Sequence, residues 1–475
     1  MADWLLKFYH PAPYPLKVLA ASIKGYYLRW WRYGPETERL VQEALARESW
    51  STEKWQVWQE ERLARLLHRA ATQVPYYREQ WTKRRRRGDQ ASWEVLENWP
   101  VLEKEPLRLN PTAFVADDCQ VWRMYPESTS GSTGTPLNLW QSRKTLRIWY
   151  ALFEARWRRW YGVSRYDRWA ILGGKLVATV ERQKPPFWVW NAALRQLYLS
   201  TYHLSPNFIP HYLNVLRRYR IKYLWGYTSS LHALAQEVLR SKRRDLQMAV
   251  VITNAEPVFD YQRQTIAAAF QCPVRETYGM SEFVAAASEC EAGNLHLWPE
   301  AGLLEVYADG RPAVPGDSGG LVCTGLLNED MPLIRYQVGD RGALPATDEV
   351  CSCGRSLPLV TIDGRSDDII YTADGRIMGV QLDTIFSVDM DIREAQIIQE
   401  ALDHFRLRYV PGPKYTQRAG HSMVEKLRAR LGPVKVTLEP VLEIPRGANG
   451  KYRLSVCNLS PQELGRLRKI DKSPL

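Results

Sequence analysis

The nine residues Ser128-Thr129-Ser130-Gly131-Ser132-Thr133-Gly134-Thr135-Pro136 carry six hydroxyl side chains and two glycines. Glycine lets backbone N–H groups approach an anion and each hydroxyl adds a donor, so the stretch can replace the hydration shell of a polyphosphate. A solvated Ser/Thr/Gly loop is the plain alternative. It is no Walker loop: no Gly-Lys-Ser/Thr closes it, and Leu137-Asn138-Leu139-Trp140 alternates like a strand where that motif opens a helix. A second group of residues could hold a metal. Cys351-Ser352-Cys353 with Cys290 and His296 supplies four soft ligands able to close a tetrahedral zinc site, against which stands a reading as buried thiols and a core histidine.

Four further motifs follow the loop in order: Tyr278-Gly279-Met280-Ser281-Glu282, Tyr336-Gln337-Val338-Gly339-Asp340, Gly364-Arg365-Ser366-Asp367-Asp368, and Pro445 to Lys451 ending in Asn449-Gly450-Lys451. Together they resemble the signature set of the adenylate-forming superfamily of acyl-CoA synthetases, adenylation domains and luciferases. Val74-Pro75-Tyr76-Tyr77-Arg78, and Leu137 where other branches carry lysine, make the chain similar to the phenylacetate-CoA ligase and capsule-biosynthesis branch. The resemblance runs from about residue 60 to the C-terminus.

The resemblance implies an α/β fold, with a large multi-sheet N-terminal adenylation domain (1–363, of which 1–90 form a helical, aromatic-rich leader) and a small, mobile α+β C-terminal domain (364–475). It implies ATP, Mg²⁺ and CoA as cofactors, and activation of a carboxylic acid through an acyl-adenylate. The acyl group then passes to CoA or, alternatively, to an amine, a hydroxyl or a carrier protein. Residue by residue, it places Ser128, Thr129, Ser130, Gly131, Ser132, Thr133 and Gly134 on phosphate, Glu282 on magnesium and Tyr278 near adenine within the turn Gly279, Met280, Ser281. Asn254, Ala255 and Glu256 would line the nucleotide pocket and Asp340 would take the ribose hydroxyls with its two oxygens. Arg365 would reach ribose or phosphate, Asp367 would be the hinge, and Lys451 would bridge the substrate carboxylate and α-phosphate. Tyr227, Ser229 and Phe283 are candidates for an acyl pocket, although aromatic and small residues suit a plain core equally well. Relatives carrying similar Cys/His clusters favour a structural zinc at Cys290, His296, Cys351 and Cys353.

The elements that must position these residues follow from periodicity. Helical patterns cover Leu40, Val41, Ala44 and Leu45, then Leu63 to Val74, where Pro75 removes a backbone donor. Leu146, Trp149, Leu152, Phe153, Trp157 and Trp160 recur at helical spacing and should pack under the strand pair flanking the loop. Trp169–Leu172, Tyr223–Trp225, Ala249–Thr253 and Val274–Thr277 read as short strands alternating with helices Leu231–Leu239 and Gln262–Phe270, an α/β body with a largely parallel sheet. Beyond Asp363 the order is strand-turn-strand to Val380, strands Ala395–Glu400 and His404–Tyr409, helix Met423–Leu431 and strand Val434–Val441.

With 475 residues two or more domains are expected. The net charge of +12 favours anionic partners, but no nucleic-acid module accompanies it, and Lys83-Arg84-Arg85-Arg86-Arg87 reads as a solvated run in a loop. No apolar run is long enough to span a bilayer and no signal peptide is evident, so a cytoplasmic location is expected. Seven cysteines, an odd number, argue against a disulfide framework. Leu16 to Trp31 can form an amphipathic helix with a basic and aromatic face, suited either to peripheral membrane contact or to packing on the body.

Overall fold

The computed structural model describes residues 9–128, 137–175, 177–179, 182–205, 207–346, 351–365, 370–371, 377–378, 385, 390–445, 453–460 and 463. The four expected strands form and pair in parallel. Val274–Gly279, Val250–Asn254, Tyr223–Gly226, Trp169–Gly173 and Gln196–Ser200 lie side by side in that order, each next to its neighbour in parallel register. Their burial explains their sequence: Tyr223–Gly226 is buried throughout, as a parallel strand covered on both faces must be.

The parallel strands are half of something larger. Antiparallel strands Ala286–Glu289, Leu295–Leu297, Leu359–Arg365, Tyr336–Ala343, Gly319–Gly325, Gly302–Ala308 and Arg311–Pro312 continue the same sheet, and Trp188–Asn191 closes its other end, giving 13 strands. The expected α/β fold is present, and this large sheet is its main one. Strand Leu359–Arg365 is the seam, pairing first with Leu295–Leu297 and further along with Tyr336–Ala343. Beside the sheet, Tyr125–Ser128 and Asn138–Gln141 pair antiparallel and meet at Ser128 and Asn138, the two ends of the phosphate-loop segment.

The helix Arg143–Arg156 packs on the large sheet, not merely under the hairpin. Leu146, Trp149, Leu152 and Trp157 share a core with Trp169, Tyr223, Trp225, Ile252 and Trp298, and Tyr125 of the hairpin only borders it. Arg156 is wholly buried and forms a two-pronged ion pair with Glu300 (2.7 and 2.9 Å), while its guanidinium also reaches the Ala44 carbonyl at 3.4 Å. Contacts of this pair with the leader, from Arg156 to Ala44 and Glu48 and from Glu300 to Arg47, tie the leader to the body, and removing either member of the pair would leave an uncompensated charge.

The leader is helical as expected, over Tyr14–Arg32, Thr37–Ala46, Thr52–Gln73 and Pro75–Arg86. Pro75 ends one helix and opens the next, where its missing N–H costs nothing. The run Lys83 to Arg87 is the last turn and cap of that helix, not a loop. Basic side chains there complement the carbonyl end, and Arg84 bonds Asp89 and the Asn98 carbonyl (both 2.5 Å), Arg85 the Asp89 and Ala91 carbonyls. The first helix lies along Trp188–Asn191, the edge strand, with Ser22 Oγ accepting from the Ala192 N–H at 3.1 Å. A covered edge cannot template pairing with another chain.

The C-terminal residues form a four-stranded sheet, in the order Lys435–Pro440, His404–Pro411, Ile392–Ala401 and Ser455–Cys457, with helix Gln417–Leu431 packed on it. Phe405, Leu407, Ile397, Met423 and Leu427 make its own core. Among the described residues no helix is long and apolar enough to cross a membrane.

Candidate functional site

Ligands of open α/β sheets bind beyond the carboxyl ends of the parallel strands, and here those ends carry the expected residues. Strand Val274–Gly279 delivers Tyr278 and Gly279. A Cβ at Gly279 would stand 2.8 Å from Trp157 Cη2, so glycine is needed where that ring passes under the turn. Tyr278 donates its hydroxyl to Asp340 Oδ2 at 2.8 Å, joining the parallel and antiparallel halves of the sheet across the site. Asp340 in turn stands directly opposite Arg365 in the strand register. Gln141 Nε2 donates to the Ser281 carbonyl at 3.2 Å, tying the root of the phosphate-loop hairpin to the same turn.

Glu282 is held at the centre of this group. Tyr336 donates its hydroxyl to Glu282 Oε1 at 3.1 Å. Burial pushes the Glu282 carboxyl above its ordinary pKa, offset only in part by a backbone N–H, the nearby Lys104 ammonium and the Tyr336 hydroxyl, while the Asp340 charge adds to the rise. Among the described residues no salt bridge reaches Glu282, and the donor set of a partly buried carboxylate near a second acid fits a divalent cation. Tyr278 is likewise raised, by burial first and the Asp340 charge second, so its hydroxyl keeps its proton and donates.

Two members of this cluster, Lys104 and the Tyr336 hydroxyl, are absent from the sequence reading. Lys104 donates to the Val338 carbonyl at 2.7 Å, and Leu102 forms a parallel bridge with Tyr336 that brings the segment there. Tyr336 opens a recognised motif, so its position was visible; Lys104 lies 232 residues before Tyr336 with no motif to mark it.

Asn254, Ala255 and Glu256, expected to line the nucleotide pocket, lie at and just beyond the end of strand Val250–Asn254. Asn254 takes the orientation in which its amide nitrogen donates to the Gly226 carbonyl (3.0 Å) and its oxygen accepts from Trp225 Nε1 (3.3 Å). Ala255 has φ +63°, a left-handed conformation unusual for a residue with Cβ, which marks a strained turn at the strand end. Glu256 is buried and turns toward the helix Thr228–Arg240: its carboxylate accepts from Ser229 N (2.8 Å) and Ser229 Oγ (3.2 Å). It thus caps that helix. The Thr-Ser-Ser start of the helix, in need of an acceptor, was the available signal.

Of the acyl-pocket candidates, Ser229 spends its polar atoms on Glu256, and the Tyr227 hydroxyl accepts from Gly174 N at 3.2 Å. Phe283 is buried with its ring stacked on Trp149 (4.1 Å, 9°) and shares the core of Trp298, so the core reading holds for this residue. Ser128 ends its strand with Oγ 3.2 Å from Asn138 Oδ1. Thr129, Ser130, Gly131, Ser132, Thr133, Gly134, Asp367 and Lys451 lie outside the described residues, as does the Arg365 side chain.

The proposed metal ligands converge. Cys290 follows strand Ala286–Glu289, His296 sits in Leu295–Leu297, and Cys351 and Cys353 precede the seam strand; their ligand atoms all lie within 4.8 Å of one another. Cys290 Sγ and Cys351 Sγ are 3.6 Å apart, and Cys353 Sγ and His296 Nε2 are 3.4 Å apart. A zinc tetrahedron with bonds of about 2.3 Å to sulfur and about 2.05 Å to nitrogen has edges of about 3.8 and 3.6 Å. These two separations are close to those edges. His296 Nδ1 bonds the Leu357 carbonyl at 2.9 Å, which leaves Nε2 as the ligand atom, and Asn294 donates to Cys351 Sγ at 3.3 Å.

Residues 369–458 match the CapK C-terminal domain. Protein CapK of Staphylococcus aureus is 25% identical over 368 residues, covering 76% of this chain and 80% of that one. A phenylacetate-coenzyme A ligase of Thermus thermophilus is 24% identical over 471 residues, covering 89% and 98%. A crystal structure of 2-hydroxyisobutyryl-CoA ligase in the postadenylation state superposes with a TM-score of 0.64 at 19% identity, covering 90% of this chain and 94% of that one. The chain thus has the fold of the adenylate-forming ligases. In sequence it resembles CapK and the phenylacetate-CoA ligases.

Proposed function

We propose that this chain is an AMP-forming acid–thiol ligase, which activates a carboxylic acid with ATP and passes the acyl group to CoA. The observation that carries the reading is the bond between Tyr278 and Asp340 at the carboxyl edge of the parallel strands, which draws two of the ordered motifs onto Glu282. Asp340 would take both ribose hydroxyls, oriented by the Tyr278 hydroxyl. Glu282 would hold magnesium, the ion supplying charge neutralisation at the phosphates. Ser128 to Gly134 would cradle those phosphates, with Asn254 to Glu256 shaping the pocket wall, and Lys451 would meet the charge developing between carboxylate and α-phosphate. Asp367 would let the small domain turn so that Lys451 leaves before the thiol arrives. The match of the small domain to that of CapK supports a second reading, in which the same adenylate acylates an amine, a hydroxyl or a carrier protein.

We also infer a structural zinc at Cys290, His296, Cys351 and Cys353, supported by the ligand separations; four protein ligands leave no open position for chemistry.

Pyrophosphate release with ATP and magnesium, across aryl, fatty, amino and sugar acids with and without CoA, tests the function. One acid should release pyrophosphate in a burst, with turnover restored by CoA. Release with no acid in the panel would argue against activation, and turnover indifferent to CoA would favour the second reading.

A further inference from the structure

The helix Tyr14–Arg32 has two faces. Lys17, Gly25, Leu28 and Trp31 are buried against the body. The opposite side exposes Leu16 (55%), Leu19 (56%), Ile23 (61%), Tyr26 (62%) and Trp30 (49%). Their spacing of three and four residues places them in one stripe along a helix about 28 Å long. Single exposed apolar residues are ordinary, but a contiguous run of five marks an interaction surface.

We propose that this stripe seats the protein on the surface of an anionic phospholipid bilayer, with the helix lying in the headgroup plane. Charge chooses the occupant. The helix carries Lys17, Lys24, Arg29 and Arg32 and no acidic residue. Lys17 turns inward, donating to the His10 carbonyl at 2.8 Å, but Lys24 and Arg29 are exposed beside the stripe. A second copy of this helix would bring like charges together, on a chain already at +12. Acidic headgroups are the complement.

The residue types agree. Tyr26, Tyr27 and Trp30 gather at the carboxyl end of the stripe, and rings of this kind settle where apolar chains meet headgroups. Lys24 Nζ lies 4.4 Å from the Tyr27 ring centre and the Arg143 guanidinium 3.2 Å from that of Trp30, so cations ride on the aromatic faces at the same level. The helix is also close to the proposed site: Tyr27, beside the stripe, and Trp31, on the buried face, lie 6.4 and 5.6 Å from Tyr125, the first residue of the hairpin leading to the expected phosphate loop. Docking would turn that side of the site toward the bilayer.

The inference stands apart from the ligase reading and is tested on the full chain by vesicle flotation. Vesicles of phosphatidylcholine containing phosphatidylglycerol should carry the protein up, phosphatidylcholine alone should do so poorly, and high salt should release it. Leu19→Ser with Ile23→Ser should lower binding at least about tenfold, and Lys24→Gln with Arg29→Gln on the order of tenfold with a shallower salt dependence. All four residues are exposed, so the melting temperature should stay at the wild-type value. Absence of binding to the anionic vesicles, or binding that both variants retain, overturns the proposal. So does a wild-type dimer in sedimentation that Leu19→Ser with Ile23→Ser dissociates, because a second copy would then cover the stripe.

Discussion

Replacing Cys353 by serine removes one of four ligands from the cluster, and its cost can be worked from the chain it ties. The ion would cross-link Cys290 and Cys351, 61 residues apart. Closing a loop of that length is worth about 4 kcal/mol of denatured-chain entropy at 25 °C. At about 2.1 cal/mol/K per residue over the roughly 360 residues of the large domain, unfolding entropy is about 0.8 kcal/mol/K, so the loss converts to about 5 °C in melting temperature. This is a ceiling, since the pairing of Leu295–Leu297 with both Ala286–Glu289 and Leu359–Arg365 already holds the loop ends together. The assay combines elemental analysis with calorimetry of wild-type, chelator-treated and Cys353→Ser protein. Zinc near one per chain, lost in the variant together with up to about 5 °C, is the expected outcome. Acyl-AMP formation per folded molecule should stay level. A chelator-free preparation carrying no zinc refutes the site, and a variant that melts normally but cannot adenylate refutes its structural role.

Glu282→Gln should cost on the order of a hundredfold in pyrophosphate release, the scale of a lost electrostatic group. In the wild type the apparent magnesium affinity should weaken about tenfold for each pH unit below the raised Glu282 pKa, because proton and cation compete for one carboxylate. Without magnesium the sign is fixed by the same shift: with the folded pKa above the unfolded one, stability is full below the ordinary carboxylate value and is lost as pH rises through the raised one. Melting scans against pH, with Glu282→Gln as the flat control, check this. Tyr278→Phe removes a hydrogen bond to a charged group worth about 1.5–3 kcal/mol and should raise KM for ATP roughly tenfold to a hundredfold, read by steady-state kinetics. Lys451→Ala should lower acyl-AMP formation on the order of a hundredfold while sparing consumption of supplied acyl-AMP, and Asp367→Pro should do the reverse; equal losses in both half-reactions for Lys451→Ala would remove that lysine from its role.

The parallel half of the fold was readable because its strands are buried on both faces and bounded by helices of clear period; Tyr223–Trp225 and Val274–Thr277 stand where they were expected. The small domain was readable because turns punctuate it, although Ser455–Cys457, three residues after the glycine-rich loop, is too short to announce itself. Strands of the antiparallel half gave less. Leu295–Leu297 has three residues, and although one partner, Ala286–Glu289, is close in sequence, its place is fixed on the other side by Leu359 and Val360, 63 and 65 residues from the residues they pair with, and by the burial of His296. At the site, the recognisable strings brought Tyr278, Glu282, Tyr336 and Asp340 into one cluster, and the four soft side chains Cys290, His296, Cys351 and Cys353 converge as their types suggested. What was not legible is where a side chain spends its hydrogen bonds: Glu256 on a helix start, Phe283 on Trp149, and Lys104 beside an acid far along the chain.

The seam strand has a mechanical meaning. Leu359–Arg365 begins two residues after Leu357, whose carbonyl receives His296, and its far end is the Gly364-Arg365 step before Asp367. Between those points it is fastened on one side to Leu295–Leu297 and on the other to Tyr336–Ala343, the strand that carries Asp340. It is a tie rod, braced on both sides and rooted beside the Cys290, His296, Cys351 and Cys353 group. Under the hinge proposed above, the load of a turning small domain would fall on a member held by two neighbours, and Asp340 would stay in line while it turned. A cluster stripped of its proposed ion would let the rod rock at its root and so blur the angle of that turn.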